Sequence, residues 1–382
     1  MKITLVGSGV VSIPPKRGGA TELIIYELSK HLPKKGFEII VYDLKESTNK
    51  KYEIMNGSVY ERFSVPRLDN VLFLRLSEFL FGVRSLFHTL NNKTDIVHCQ
   101  TVFSALPFTL LKHFGCKKLV YTSHNPAWTA EKNDLLNKII LRLEAFVMKA
   151  ADSNITVSKT MKEGIIKKTD IKPNKIHVIY NFVDSKKFHP RKNLWKGKIG
   201  INCPMVLFVG KLSENKGVEY FLRAAKKVID SKNNVKFVLV GPMSFEYKSN
   251  NKWTELVKDL DIENNVIFTD ALSDEELPDA YSSADVFCFP TLKEAFGIVV
   301  IEAMASGVPV ITSDISVLRE IVEKNGIFVK LRDDDAIAKS ILDLLNDEKK
   351  RKTLGKTALR HSKSFAIEKI MEDYSKFYRK IK

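Results

Sequence analysis

Short apolar runs recur along the chain, bounded by Gly, Pro, Asn or charged residues and separated by stretches with an apolar position every third or fourth residue. Residues 2–7, 38–43, 96–98, 119–123 and 154–157 form a first series; 205–209, 235–240, 266–268, 286–290 and 308–312 form a second. Runs this short and this continuously apolar predict strands buried on both faces, as in parallel sheets. Between them the period is helical: Ala20, Leu23, Ile24, Leu28 and Leu32 line one face of 20–32. Strand and helix alternate throughout, which predicts an α/β fold of two successive βαβ arrays, each a parallel sheet covered by helices on both faces. Residues 184–204, rich in Lys, Pro and Asn, read as the linker between the arrays, and 364–381 has helical spacing with many charges and aromatics. A chain of 382 residues is too long for one core. The predicted division is 1–190, 191–363 and a terminal helical segment, 364–382.

Composition narrows the class. Apolar residues make up 44%, as in a soluble globular protein. Met1 leads straight into a strand, so no signal peptide is expected. The most apolar stretch, 71–83, carries Arg75 and Glu78 and is too short to span a bilayer. Cys99, Cys116, Cys203 and Cys288 lie far apart with no Cys-x-x-Cys pair, which speaks against a disulfide framework or a zinc site and for a reducing cytoplasm. The charge is lopsided: residues 1–190 hold 29 Lys and Arg against 17 Asp and Glu, the remainder 32 against 28. A basic first half suits an anionic partner, or is a solvated surface. Residues 67–90 pair an apolar, aromatic face with Arg67, Arg75, Arg84 and His88, a pattern for a core helix or for a helix peripheral to an anionic membrane.

The chemistry concentrates in Glu294-Ala-Phe-Gly-Ile-Val-Val-Ile-Glu302 and the following Ala-Met-Ala-Ser-Gly-Val-Pro-Val-Ile-Thr312. An apolar strand precedes it, a helix begins near Gly297, and Gly307 with Pro309 stops that helix. The N–H groups of Phe296, Gly297 and Ile298 would open at the positive end of the helix, a place for a diphosphate. Glu302 repels phosphate but accepts hydrogen bonds from a diol such as a ribose. In doubly wound sheets ligands sit at the carboxyl ends of strands, and with two such domains the natural site is the cleft between them. Lys211 and Lys216 lie in the loop after strand 205–209, placed to neutralise a diphosphate. Gly18 and Gly19 start the first helix and allow close backbone approach. His98 and His124 each follow a strand, where a lone histidine is often structural.

The segment containing Glu294 and Glu302 resembles the signature of the retaining glycosyltransferases of family 4, which have the GT-B fold: two Rossmann-like domains facing across a cleft, with a C-terminal helix returning to the first domain. The resemblance spans nearly the whole chain and is strongest from Val206 to Val322. It implies sugar transfer from a nucleoside-diphosphate sugar, UDP- or GDP-linked, to a glycan, glycolipid or lipid-linked acceptor, with the donor itself the only small-molecule requirement, no cofactor and no metal. Glu294 and His124 would contact the donor sugar as the catalytic pair. Lys211, Lys216, Phe296, Gly297, Ile298, Gly18, Gly19 and Glu302 would bind the rest of the donor. Lys211 stands where the family has arginine, which keeps the charge and loses the bidentate fork. His98 and Ser158 match family segments that line the acceptor cleft. Asn181-Phe-Val-Asp184 matches a hinge turn in which the family has Pro-Asn-Gly-Val-Asp.

Other readings compete for the same residues. Gly7-Ser-Gly9 followed by Asp43 faintly resembles a dinucleotide fingerprint, but its third glycine is missing and Pro14 and Pro15 intervene. Asp333, Asp334 and Asp335 suggest a metal motif, yet they precede a helical stretch and suit capping better. A sugar-nucleotide epimerase or glycosyl phosphorylase would share the fold. A non-catalytic protein binding anionic lipid or nucleic acid would share the basic half, although no aromatic-basic RNA motif is present and no nucleic-acid partner is expected.

Overall fold

A computed structural model of the chain describes residues 1–15, 19–66, 71–111, 116–129, 135–192, 195–243 and 252–381. The chain divides into two compact units. Unit 1 is Met1–Tyr180 with Glu368–Lys382, and unit 2 is Asn181–Ile367.

Unit 1 runs β1 (Lys2–Val6), α1 (Ala20–His31), β2 (Glu38–Leu44), β3 (Tyr52–Met55), β4 (Ser58–Phe63), α2 (Val71–Asn92), β5 (Thr94–Cys99), α3 (Val102–Leu110), β6 (Cys116–Ser123), α4 (Leu135–Ala150), β7 (Ser153–Thr156), α5 (Lys159–Lys168) and β8 (Ile176–Val178). The sheet order is β3-β4-β2-β1-β5-β6-β7-β8. Its centre is apolar on both faces, as the continuous runs require: Ile3, Leu5, Val41, Val97 and Val120 are essentially without exposure. One expectation needs correcting. The sheet is not wholly parallel, because β3 pairs antiparallel with β4 through Asn56 and Gly57, both at positive φ. Asn-Gly is the preferred pair for the tight turn that matches strand twist. The antiparallel strand is an edge strand, where its alternation of exposed and half-buried residues has room.

Unit 2 runs α6 (Trp195–Lys198), β9 (Met205–Val209), α7 (Val218–Ser231), β10 (Lys236–Val240), α8 (Lys252–Asp259), β11 (Val266–Phe268), α9 (Glu276–Ser283), β12 (Val286–Phe289), α10 (Ile298–Ala305), β13 (Val310–Ser313), α11 (Ser316–Val322), β14 (Ile327–Val329), α12 (Asp334–Asn346) and α13 (Glu348–Ser362). Its six strands are parallel, in the order β11-β10-β9-β12-β13-β14. The stretch expected to be a linker is packed into this unit. Phe188 stacks edge-on against Tyr281, Trp195 is buried, Arg191 pairs with Asp279 at 2.8 Å and Lys196 with Asp285 at 2.5 Å. Its lysines read as linker, but its aromatics are core.

The last helix, α14 (Ile367–Ile381), leaves unit 2 and belongs to unit 1. Ile370, Met371, Tyr374, Phe377 and Tyr378 are buried there at helical spacing. Burying such side chains stabilises by roughly 1.5–3 kcal/mol each. Lys35 pairs with Glu372 at 2.6 Å and Arg379 donates to the Lys35 carbonyl at 2.9 Å. Among the described residues no helix is long and apolar enough to cross a membrane.

Each sheet reverses its winding once, at β1/β5 in unit 1 and at β9/β12 in unit 2. Helices leave in opposite directions at such a point and open a crevice at the carboxyl ends of the strands. The loops there are 7–15 and the start of α3 in unit 1, and 210–217 and 290–297 in unit 2. Nearly all the sequence-derived candidates lie on or beside these loops.

Candidate active site

In unit 2 the two switch-point loops are stitched together by backbone. Leu292 N–H donates to the Asn215 carbonyl at 2.9 Å and Thr291 Oγ1 to the same oxygen at 3.0 Å. Gly217, at φ 73°, begins α7 so close to the second loop that a Cβ there would overlap the Pro290 carbonyl. Only glycine meets both demands. The stitch brings Lys216 to Glu294: Nζ lies 2.7 Å from Oε2 and 5.5 Å from the centre of the Phe289 ring. Glu294 Oε1 also accepts from the Ala295 N–H at 3.0 Å. Lys211, on the same loop, is exposed and has no ion pair among the described residues.

Gly297, at φ 98°, caps α10. Helices leave their first N–H groups without internal partners, and those of Gly297 and Ile298 stand at this end with the positive end of the dipole behind them. Phe296 is 1% exposed and packs edge-on against Phe365, so its side chain anchors the loop. Glu302 lies one turn beyond Ile298 on the same helix face. Tyr281 OH, from buried α9, donates to Glu302 Oε2 at 2.9 Å. Burial raises the Glu302 pKa to about 7, opposed by the Tyr281 hydrogen bond and the positive charge of Lys187.

In unit 1, Gly19 caps α1 at φ 88°. Gly18 lies outside the described residues, as does Arg67. Beside Gly19, Ser8 Oγ donates to Glu22, whose pKa burial raises. His124 is half-buried after β6, its Nε2 2.9 Å from Gln100 Oε1. Burial lowers its pKa to about 4, so the ring is neutral near pH 7.

Two candidates change role. His98 has no exposed surface, and both ring nitrogens are bonded internally, Nδ1 to Tyr378 OH and Nε2 to Thr122 Oγ1, each at 2.6 Å. It fastens α14 to the sheet and lines no cleft. Ser158 is likewise fully buried and caps α5 by accepting from the Met161 N–H at 3.1 Å. The histidine and the serine sit at strand ends, as their motifs require, but their side chains turn inward.

The competing motifs resolve structurally. Asp43 Oδ2 accepts from Arg62 Nε at 2.8 Å while Oδ1 accepts from the Ile13 and Leu44 N–H groups, which leaves no carboxylate for a dinucleotide ribose. Asp333 caps α12 through the Ala336 N–H at 2.8 Å, and Asp334 and Asp335 pair with Lys227.

Sequence reasoning missed Gln100, Tyr281 and Glu144. Glu144 is buried under the His124 loop and takes four hydrogen bonds: from Tyr121 and Ser123 on Oε1, and from Asn125 and Trp128 on Oε2, at 2.6–3.1 Å. Four donors fill the lone pairs of one carboxylate. An acid inside the apolar run Ile139–Val147 was the available signal. Gln100, two residues after His98, had none beyond its position.

Comparison with known proteins agrees with this fold. Residues 191–361 match the family model for glycosyl transferases group 1, and 18–187 match that for glycosyltransferase family 4. An uncharacterized glycosyltransferase of Methanocaldococcus jannaschii is 30% identical over 91% of this chain and 90% of its own. Among solved structures, sucrose-phosphate synthase from Thermosynechococcus elongatus has a TM-score of 0.86 at 22% identity, covering 100% of this chain and 98% of its own. Anabaena HepE, solved in complex with UDP-glucose, has a TM-score of 0.82 at 19% identity, covering 100% of both chains. The fold is GT-B, and with matching models over both halves and a relative along nearly the full length, the chain belongs to the family 4, group 1 glycosyltransferases.

Proposed function

We propose that this protein is a retaining, metal-independent glycosyltransferase that moves a sugar from a UDP- or GDP-sugar to a glycan, glycolipid or lipid-linked acceptor. The observation that carries this reading is the Lys216–Glu294 pair, held by two stitched loops beside the open N-terminus of α10. A cation and free N–H groups suit a diphosphate, and the carboxylate beside them suits sugar hydroxyls. In the reaction, the bond from the anomeric carbon to the phosphate oxygen breaks and the nucleoside diphosphate leaves with the electron pair. The acceptor oxygen bonds to the same face of that carbon, and its proton passes to the departing phosphate. Lys211, Lys216 and the Gly297 and Ile298 N–H groups stabilise the leaving charge. Glu302 accepts from the ribose and Glu294 orients the sugar, while the resemblance to the family assigns His124 to the donor sugar and Gly18 and Gly19 to the donor phosphates. Glu294 must exchange Lys216 for a hydroxyl as the diphosphate draws the lysine away.

A membrane-bound acceptor is favoured by the helical layer α2–α3–α4. Eight of the fourteen large apolar side chains exposed among the described residues belong to it, including Phe87, Leu110, Leu135, Ile139 and Phe146. Arg84, Lys138 and Arg142 are exposed there too, and the only acids of these helices, Glu78 and Glu144, are buried. Apolar side chains among cations, with no exposed acid on the described residues of these helices, suit an anionic lipid surface; a second copy of the same face would be repelled. Vesicles rich in phosphatidylglycerol should retain the protein in co-sedimentation, and Ile139→Glu with Phe146→Glu should release it.

The first test is thermal stabilisation by UDP, GDP, ADP and their sugar conjugates in EDTA. A ligand at a hundred times its Kd stabilises by about 2.7 kcal/mol. A shift with one nucleotide in EDTA supports both donor binding and metal independence, and no shift with any of them counts against the reading. The anomeric configuration of the product, read by NMR, then tests retention.

A further inference from the structure

Five polar residues form one hydrogen-bonded chain inside unit 1. Tyr378 OH, on α14, lies 2.6 Å from His98 Nδ1. His98 Nε2 lies 2.6 Å from Thr122 Oγ1 and 3.3 Å from Gln100 Nε2. Gln100 Oε1 lies 2.9 Å from His124 Nε2. With the Gln100 amide nitrogen toward His98 and its oxygen toward His124, the direction of every link follows from which atoms can donate. The Gln100 carbonyl oxygen only accepts, so His124 Nε2 carries the proton. The Gln100 amide nitrogen only donates, so His98 Nε2 is an acceptor, shared with the Thr122 hydroxyl, and His98 Nδ1–H donates to Tyr378. No link conflicts with its neighbours.

Apart from the half-buried His124 ring, the chain is sealed. His98, Gln100, Thr122 and Tyr378 are all at most 2% exposed, so water cannot replace a missing partner. Burial keeps both imidazoles neutral near pH 7, with pKa values pushed down to about 3 for His98 and about 4 for His124. Each ring therefore holds one proton, and its location is set by the partner. Glu144 fixes the backbone around His124 independently through Tyr121, Ser123, Asn125 and Trp128. Gln100 is thus left to orient the ring.

We propose that Gln100 is a positioning residue for His124: its side-chain carbonyl holds Nε2–H and keeps Nδ1 as an unprotonated acceptor, available to a hydroxyl of the donor sugar. The first half concerns the protein alone; the second rests on the transferase reading. A ring held in the other tautomer would present an N–H donor from Nδ1 and would favour a different hydroxyl arrangement, so Gln100 selects for sugar geometry without touching the sugar.

The test is long-range proton–nitrogen correlation NMR on the 15N-labelled full chain, with the His124 signals assigned by their loss in His124→Gln. The wild type should show a protonated, pyrrole-type Nε2 and a pyridine-type Nδ1; the reverse overturns the proposal whatever any variant does. In Gln100→Leu, the two tautomers should mix, with nucleotide affinity in unit 2 unchanged and turnover of the donor down at least tenfold. An unchanged tautomer in that variant shows Gln100 to be only packing, and also overturns it. Adding the nucleotide sugar should shift Nδ1, whereas the free nucleoside diphosphate should not. No nucleotide binding at all would sink the transferase reading and leave the tautomer result standing.

Discussion

The two units build their candidate sites by opposite routes. In unit 2 the site is nearly linear. Residues 210–217 and 290–302 hold every candidate, each reached from a strand end or a helix start, and two loop-to-loop hydrogen bonds bring the segments together. In unit 1 the network around His124 draws on β5 and the residue after it, on α4 and on α14, and the partners are 24 to 280 residues apart in pairs such as His124–Gln100 and His98–Tyr378. Chemistry carried by a contiguous loop survives as a readable word. Chemistry carried by a buried network is spread over the chain as single letters, because the partner of a buried polar group is chosen by proximity in three dimensions.

That contrast can be broken by experiment. The largest effect should come from Glu144→Ala, which strands four buried donors and leaves a cavity. We expect a loss of about 4 kcal/mol in urea unfolding, and a loss under 1 kcal/mol would mean the network does not organise unit 1. Gly217→Ala should cost about 3 kcal/mol, from positive φ plus overlap with the Pro290 carbonyl, and should abolish nucleotide binding by parting the stitched loops. Retained affinity would show that the loops need no such closeness. Lys216→Ala should separate function from stability. Nucleotide affinity should fall by roughly 1–3 kcal/mol, while stability changes by less than about 1 kcal/mol because the pair is partly exposed. Equal losses in both would make the pair structural, as in unit 1.

The smallest effect is a pH dependence. Glu302 has a pKa raised to about 7, and the ribose needs its anion. Affinity for a nucleotide sugar, whose phosphates do not titrate in this range, should therefore be highest above pH 7 and fall as the carboxylate takes a proton, by up to about tenfold per unit well below it. Calorimetry between pH 5.5 and 8.5 would measure this, with Glu302→Gln as a flat reference. A steep profile in that variant would assign the titration elsewhere.

Much of the scaffold was legible in advance. Met205–Val209 and Val266–Phe268 coincide with their apolar runs, and the helix from Ala20 ends within a residue of its expected stop. Buried parallel strands and amphipathic helices write their burial into local periodicity. The edge hairpin at Asn56–Gly57 was missed although its turn pair was visible, since its short strands alternate weakly. The segment 184–204 was misread because exposed lysines outnumber the aromatics that bury. His98 and Ser158 show the same limit in the site: a motif locates a residue at a strand end, and packing decides whether its side chain faces a ligand or the core.

The amino-acid order by itself determined the two βαβ arrays, the helix that begins at Gly297 and the loop positions of Lys211, Lys216, Glu294 and Glu302, because periodicity, glycine conformation and helix capping act over a few residues. Only the tertiary structure decided that Lys216 meets Glu294, that Tyr281 holds Glu302, that Gln100 holds His124 and that His98 serves the last helix. Desolvation makes a buried polar group take whatever partner the fold brings within 3 Å, and no local pattern records which partner that will be.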